Sequence, residues 1–467
     1  MSTGAVDSAY RQAPDSRALA HIPGCDGWPV LGETVAVVRD LHAVAARHVR
    51  DYGPVSRIRL LGQGGLMVTG ADLYQRIFQD ADQLFSAEKG YDKQLGAFYP
   101  RGLLLMDFDE HRANRRLMQG AFKVAALQRY LEMMQPVIAS HVQAWGRAGE
   151  IVFYPRIKQL LLEIAARCFL GIADLGREGE VINQLFLELN AGMISLLRAE
   201  LPIGAYGRAM RARRRLEAWF ETMIVEHRAG GGGDDVLSHM SRETDEQGRP
   251  YGVKTIVDHL IFLLFAAHDT STSALSHLAM YLGRDAALQA RLRAHLAGFG
   301  PGPLVHADLA RMDLAEHCFH EAMRLHPPVP MMMRRTIRAT ELGGYAVPAH
   351  TVLHLPTMIN QRDPAWWSEP DRFDPERFAP PRSEQRRHPM CFHPFGSGAH
   401  KCIGMHFADM TVKAFLHHFV LAHAFATPAG HAPRLEWVPL PKPADGVPLR
   451  LSAATPSGLA PAAECGH

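Results

Sequence analysis

The stretch FGSGAHKCIG, residues 395–404, sets Cys402 among three glycines, an aromatic residue and two basic residues. A cysteine does its chemistry as a thiolate, either as a nucleophile or as a metal ligand. Zinc would need further ligands in paired spacing. His393, His400, Cys402 and His406 lie close in the chain, but they do not form such pairs. The chain holds 26 histidines, so neighbours of this kind are expected by chance.

The better reading is a single thiolate ligand to a haem iron. A cysteine at the start of a helix has its pKa lowered by the backbone N–H groups pointing at it. Gly396 and Gly398 permit tight turns and the close backbone approach that a flat macrocycle demands. Gly404 leaves room beneath the ring. Phe395 would shield the sulfur from water, and His400 and Lys401 add basic character. With this spacing, Phe395, Gly398, Cys402 and Gly404 match the FxxGxxxCxG haem-ligand signature, and the chain resembles the cytochrome P-450 family.

The resemblance extends to further segments. EAMR, 321–324, places Glu321 and Arg324 on one helical face, with HPP directly after it and PERF at 375–378. In the family these positions form a buried ion network bracing the cysteine loop, which implies that structural role for Glu321, Arg324 and Arg377. HRANR, 111–115, puts His111 and Arg115 one turn apart. Haem has two propionates, and such side chains suit them. Alignment of the MMMRR segment to the family pattern favours Arg334 over Arg335 as a further partner, and His400 is the fourth. FAAHDTSTS, 265–273, follows an apolar helical run. Its four successive hydroxyl residues compete for backbone carbonyls, so a local opening of the helix is expected there, forming a groove for O2. Asp269 and Thr270 then supply the acid and the alcohol that O2 activation needs for proton delivery. Ala267 stands where the family usually has glycine.

These residues need a large scaffold. The chain has 467 residues, 47% hydrophobic and 21% charged, enough for a substantial core. A net charge of +2 gives no general reason to expect nucleic acid. Six scattered cysteines without a CxxC pair suggest neither a disulfide framework nor a zinc ribbon. Residues 1–20 read as a flexible leader without signal peptide or membrane anchor, and 453–467 as a flexible tail. Between them, 21–452 reads as a single haem-thiolate catalytic domain of a cytoplasmic monomer. A hairpin is expected over 54–70, breaking at Gly64-Gly65. Helical spacing runs from about 110 to 300, short strands follow Pro327, and a last helical run follows Cys402. The basic run RAMRARRR, 208–215, reads as a solvated helix face. The fold class is thus mainly α with a smaller β portion, and the resemblance implies haem b buried between two central helices.

The resemblance implies a monooxygenase that hydroxylates a C–H bond, with O2 and electrons from an external ferredoxin and ferredoxin reductase. Those partners would dock near Cys402, where Lys401, Arg112 and Arg116 could meet acidic groups. Segments 27–40 and 103–122 look like members that oxidise retinoids and sterols. Candidate pocket residues are Phe85, Tyr91, Phe98, Tyr99 and Leu103, then Phe262, Phe265 and Ala266, then Val329, Met331 and Met332. This apolar set suits a neutral lipophilic molecule of terpenoid, steroid or retinoid size. The competing readings are a peroxygenase or isomerase without redox partner and a non-catalytic haem sensor. The Asp269–Thr270 pair counts against both.

Overall fold

The computed structural model describes residues 16–172, 176–193, 195 and 198–454. Most of the expected leader and tail therefore lies outside the described residues. Within the expected leader, Ser16–Leu19 forms a 3-10 turn and Leu19 is buried against the main sheet. The domain thus begins before residue 21.

The helix Val253–Arg284 is the axis of the molecule. It is apolar on nearly every side, the pattern of a helix enclosed by others. Helices Phe153–Leu170, Ala205–Glu226 and Asp313–Leu325 pack on it. Helix Met405–Ala422, which follows Cys402, packs on Val124–Ala148. The final helical run ends at Ala422, and His423–Ala426 becomes a strand paired with Pro448–Ala453. Among the described residues no helix is long and apolar enough to cross a membrane.

The expected opening at the TSTS run does not occur. The long helix is continuous through 265–273, because three of the four hydroxyls find a carbonyl without breaking the backbone. Thr270 Oγ1 donates to Ala266 O (2.7 Å) and Thr272 Oγ1 to His268 O (2.9 Å). Ser273 Oγ instead reaches Pro441 O (2.5 Å) on another segment.

The main sheet has six strands in the order Gly24–Cys25, Val55–Leu60, Gln63–Val68, Val352–Pro356, Met331–Thr336 and Phe85–Ser86. The expected hairpin is present, but its turn is Leu61-Gly62, both with positive φ as a two-residue hairpin turn requires. Gly64 and Gly65 lie inside the second strand. A Cβ on Gly65 would stand 2.7 Å from Val352 O, so the glycine serves strand packing rather than the turn. The Thr340–Leu342 and Tyr345–Val347 hairpin does turn at Gly343-Gly344.

The basic run is a solvated face with one exception. Arg208, Arg211, Arg214 and Arg215 are exposed, whereas Arg213 is buried. Arg213 Nη2 donates to Asp258 Oδ1 and Glu217 Oε1, each at 2.8 Å, and Nη1 donates to Phe98 O. One guanidinium thereby ties the 205–226 helix to the long helix and to the loop carrying Phe98. Asp258 is equally buried, so removing its partner leaves an uncompensated charge. R213M is expected to lose about 3 kcal/mol of unfolding free energy, because Lys254 Nζ (3.3 Å) still answers Asp258. Urea unfolding of the variant checks this.

Candidate functional site

The Cys402 loop is shaped by backbone geometry first. Gly396 and Gly398 have φ of +68° and +65°, in the left-handed region that favours glycine. A Cβ on Gly398 would stand 1.8 Å from Phe78 O, so no other residue fits there. The Cys402 N–H then donates to Phe395 O (2.9 Å), closing the loop. Gly404 is the cap residue of the helix Met405–Ala422. A Cβ there would meet nothing within 4 Å, so the space beside the thiol stays open.

The Cys402 side chain is exposed to that space although protein crowds its other sides. Burial pushes its thiol pKa up, while the Gly404 N–H and the charges of Arg115 and Lys401 pull it down. Burial prevails, which corrects the expectation of a lowered value. A metal ion bound at this cysteine would favour its thiolate, as thiolate coordination ordinarily does.

Four cationic or ring-nitrogen groups converge near the thiol. His111 and His400 face each other with ring centroids 4.0 Å apart. Arg115 lies on the same helix as His111, Phe108–Gln119. Arg334 is buried on its strand, over the Phe78 ring at 5.0 Å. Arg335, next along the strand, faces the other way and donates to His350 O, as strand alternation requires. Burial, followed by Arg115, Arg334 and Arg112, holds His111 at about 4. Burial, followed by Arg334, His111 and Arg115, holds His400 at about 2. Both rings are thus neutral N–H donors at ordinary pH. His111 Nε2 is buried without a hydrogen-bond partner, and Arg334 has only Met333 O (2.8 Å) among the described residues. Two guanidinium groups, two imidazoles and one thiol fit a dianionic group that carries a thiolate-binding metal. Haem, with two propionates and iron, meets that description.

The loop is braced from behind by a closed ion network. Glu321 Oε2 accepts from Arg324 Nε (2.6 Å), and Oε1 accepts from Arg377 Nε (2.9 Å) and the Asp374 N–H (2.9 Å). Arg377 Nη1 also donates to Glu384 Oε2 (2.9 Å). The three expected members are completely buried, and both arginines lie over the Trp367 ring. Glu384 and Trp367 were not legible in the sequence, since neither has a spacing that signals its partner. Gln361 carries the link onward: its Nε2 donates to Met323 O and Arg324 O, and its Oε1 accepts from the His393 N–H. Phe319 then meets Phe395 edge-on at 6.4 Å. His393 is locked against Tyr74, away from Cys402, and no three-residue metal cluster occurs among the described residues.

On the long helix, Thr270 and Asp269 are adjacent and half-buried. Asp269 Oδ1 accepts from Lys158 Nζ at 2.8 Å, a partner the sequence did not suggest. Tyr99 stacks on Phe265 (4.6 Å) and meets Phe262 edge-on (6.0 Å). Phe98, Leu103 and Phe262 are in the same core, with Tyr91, Phe265 and Ala266 against it. The other candidates separate from this group. Phe85, Met332 and Val329 belong to the core beneath the sheet, and Met331 packs with Val44 and Ile58 on a different one. Met332 instead approaches the cysteine loop, its Cε 3.6 Å from where a Gly396 Cβ would be. Strand alternation explains the split, because Met331 and Met332 must face opposite ways.

Glu384 makes the network sensitive to acid. Burial alone would raise its pKa, but hydrogen bonds from Ser368, Arg382 and Arg377 overcome that and hold it at about 2, against 4.5 when free. A carboxyl lowered in the folded state stabilises above its unfolded value, and that contribution is lost as pH falls through the folded value. Urea midpoints should therefore drop as pH goes from 4.5 toward 2. E384Q should be less stable at neutral pH and show a flatter slope in that window.

Comparison with known proteins agrees with this geometry. The family model for cytochrome P450 matches residues 22–442. The chain is 34% identical over 458 residues to cytochrome P450 136 of Mycobacterium tuberculosis, covering 97% of this chain and 92% of that one. It is 25% identical over 423 residues to lanosterol 14-alpha demethylase of Mus musculus, covering 88% and 83%. Among solved structures, cyanobacterial CYP120A1 with retinoic acid bound superposes with a TM-score of 0.84 at 27% identity, covering 93% of this chain and 99% of that one. The chain belongs to the cytochrome P450 family, and it is a haem b-thiolate monooxygenase.

Proposed function

We propose that the protein hydroxylates a neutral lipophilic molecule of terpenoid, steroid or retinoid-like class, with electrons from an external ferredoxin and ferredoxin reductase. The observation that carries the substrate class is the wall of Tyr99, Phe262, Phe265, Phe98 and Leu103 beside Ala266. Arg213 and Asp258, buried beside Phe98, satisfy each other, so neither is free to anchor an ionised substrate. Lanosterol 14-alpha demethylase, named for a neutral sterol, supports the same class, and the retinoic acid bound to CYP120A1 supports its size and isoprenoid character, although that ligand carries a carboxylate.

In this reading Cys402 would supply the thiolate that holds the haem iron, and His111, Arg115, Arg334 and His400 would hold the propionates. Bound haem supplies the activation of O2 and the oxidation of the C–H bond. Thr270 places a hydroxyl at the reacting side of the long helix, and Asp269 carries protons toward it from the 153–170 helix. The aromatic wall excludes water and orients the substrate. The redox partner docks on the face of Cys402, where Lys401 is exposed. Arg112 and Arg116 are also exposed, but they are already paired with Asp109 and Glu246, so they contribute less to docking than Lys401.

The test is the carbon monoxide difference spectrum of the reduced protein, followed by titration with neutral terpenoids and steroids for a low-to-high-spin shift. The Soret position from which the family takes its name is expected, and C402S should lose it. NADH consumption with ferredoxin and reductase should match oxygenated product. Product formed with peroxide alone, and none with the redox partners, would overturn the reading. T270A should keep the spectrum and lower product per NADH about 10²-fold, the low end for a lost proton-transfer group.

A further inference from the structure

Three helices part behind the aromatic wall and leave an apolar cavity between them. Its walls are Ala165, Ala166 and Leu170 on the 153–170 helix, Ile182 and Phe186 on the helix Gly176–Gly192, and Leu264 on the long helix. Within it the centre of a water-sized sphere has about 30 Å³. A single water needs about 10–15 Å³ by that measure, so the cavity takes one molecule of about two heavy atoms and no terpenoid or steroid.

The lining decides which small molecule that is. A buried water makes about three hydrogen bonds. The polar side chains at the cavity are Asn183, half-buried at its rim, and His268. His268 Nε2 lies 3.0 Å from Lys158 O and Nδ1 3.5 Å from Asp269 Oδ1, so both ring nitrogens face other groups. Burial lowers the pKa of this ring, which stays neutral. A space of this kind is dry, and an uncharged apolar molecule is stabilised by leaving water for it. Of the reactants of a monooxygenase, O2 alone has that size and polarity.

The position of the cavity suits the same molecule. Leu162, Ile172 and Asn183 on its lining are half-buried, so it is reached from solvent on that side. Its other walls run on into the aromatic wall. Leu264 is followed on the long helix by Phe265, which stacks on Tyr99. Phe186 is one turn before Asn190, whose Oδ1 accepts from the Tyr99 hydroxyl (2.5 Å). The same two helices thus line the cavity and hold the wall.

We propose that this cavity is a holding site for dioxygen, from which O2 passes round the long helix at Phe265 to the reacting side.

The test uses xenon, an apolar atom that scatters X-rays strongly. Crystals of the holoenzyme under xenon pressure are expected to show it beside Ala166 and Leu264. A166L, which fills the cavity, should keep its carbon monoxide spectrum and lose that density. Stopped-flow mixing of the reduced protein with O2 should show association slowed severalfold in A166L. The KM for O2 should rise by the same factor, with kcat at saturating O2 unchanged. I182F fills the cavity from the facing helix and should behave alike, so a folding defect in one variant leaves the other to decide. In the unmodified protein xenon should itself slow O2 association, and in A166L it should not. Absence of xenon from the cavity overturns the inference. So does xenon bound there while A166L, I182F and xenon all leave O2 association unchanged, since the cavity is then a packing gap only.

Discussion

Burial of Glu321 between Arg324 and Arg377 is the interaction on which the rest of the site depends. From Gln361 to Cys402 the chain contains no strand and no α-helix, only turns and short 3-10 segments. Backbone carbonyls in such a stretch cannot find partners in a ladder and must find them elsewhere. The two arginines provide them: Arg324 donates to the carbonyls of Gln361, Pro370 and Arg372, and Arg377 to those of Ser368, Glu369 and Arg372. Buried guanidinium groups need a buried counter-charge, which Glu321 and Glu384 supply. The network thus replaces secondary structure where the loop must bend to present a cysteine.

The electrostatics on the open side of that loop are of the opposite kind. Arg334 is buried with little to pair with, and His111 carries an orphaned ring nitrogen. The acids nearby are mostly engaged with backbone N–H groups: Asp107 accepts from Ala87 and Glu88 and is 3.8 Å from His400, and Asp80 accepts from Leu84 and Phe85. Concentrating donors without acceptors is costly in a protein interior unless an anion completes them. Behind the cysteine the charges balance among themselves, and in front of it they await a ligand's carboxylates. That asymmetry distinguishes a structural ion network from a binding site.

The long helix shows how tertiary context overrides local preference. A run of four hydroxyl residues is weak helix by propensity, yet it stays helical because its side chains bond back to carbonyls one turn earlier or reach a neighbouring segment. The helix also serves as the common anchor of the site's other walls. His259 meets Asn114 at 2.9 Å, tying it to the helix that carries His111 and Arg115, and Asp258 holds Arg213. Displacing it would therefore disturb the His111–Arg115 helix and the aromatic wall together.

What the sequence by itself determined is local. The spacing of Phe395, Gly396, Gly398 and Cys402 encodes one loop conformation, because Gly396 and Gly398 must take positive φ and Gly398 must pass a backbone carbonyl. The turn spacing of Glu321 with Arg324, and of His111 with Arg115, places each pair on one helical face. Pairings across the chain were decided only by tertiary structure: Glu384 with Arg377, Asp258 with Arg213, Asp269 with Lys158. The division of Met331 from Met332 between two cores, and the turn at Leu61-Gly62 rather than Gly64-Gly65, belong with them. The physical reason is that backbone conformation and side-chain periodicity act over a few residues and leave a mark on spacing. An ion pair between distant segments depends on which surfaces are buried against each other, and no spacing along one segment records that.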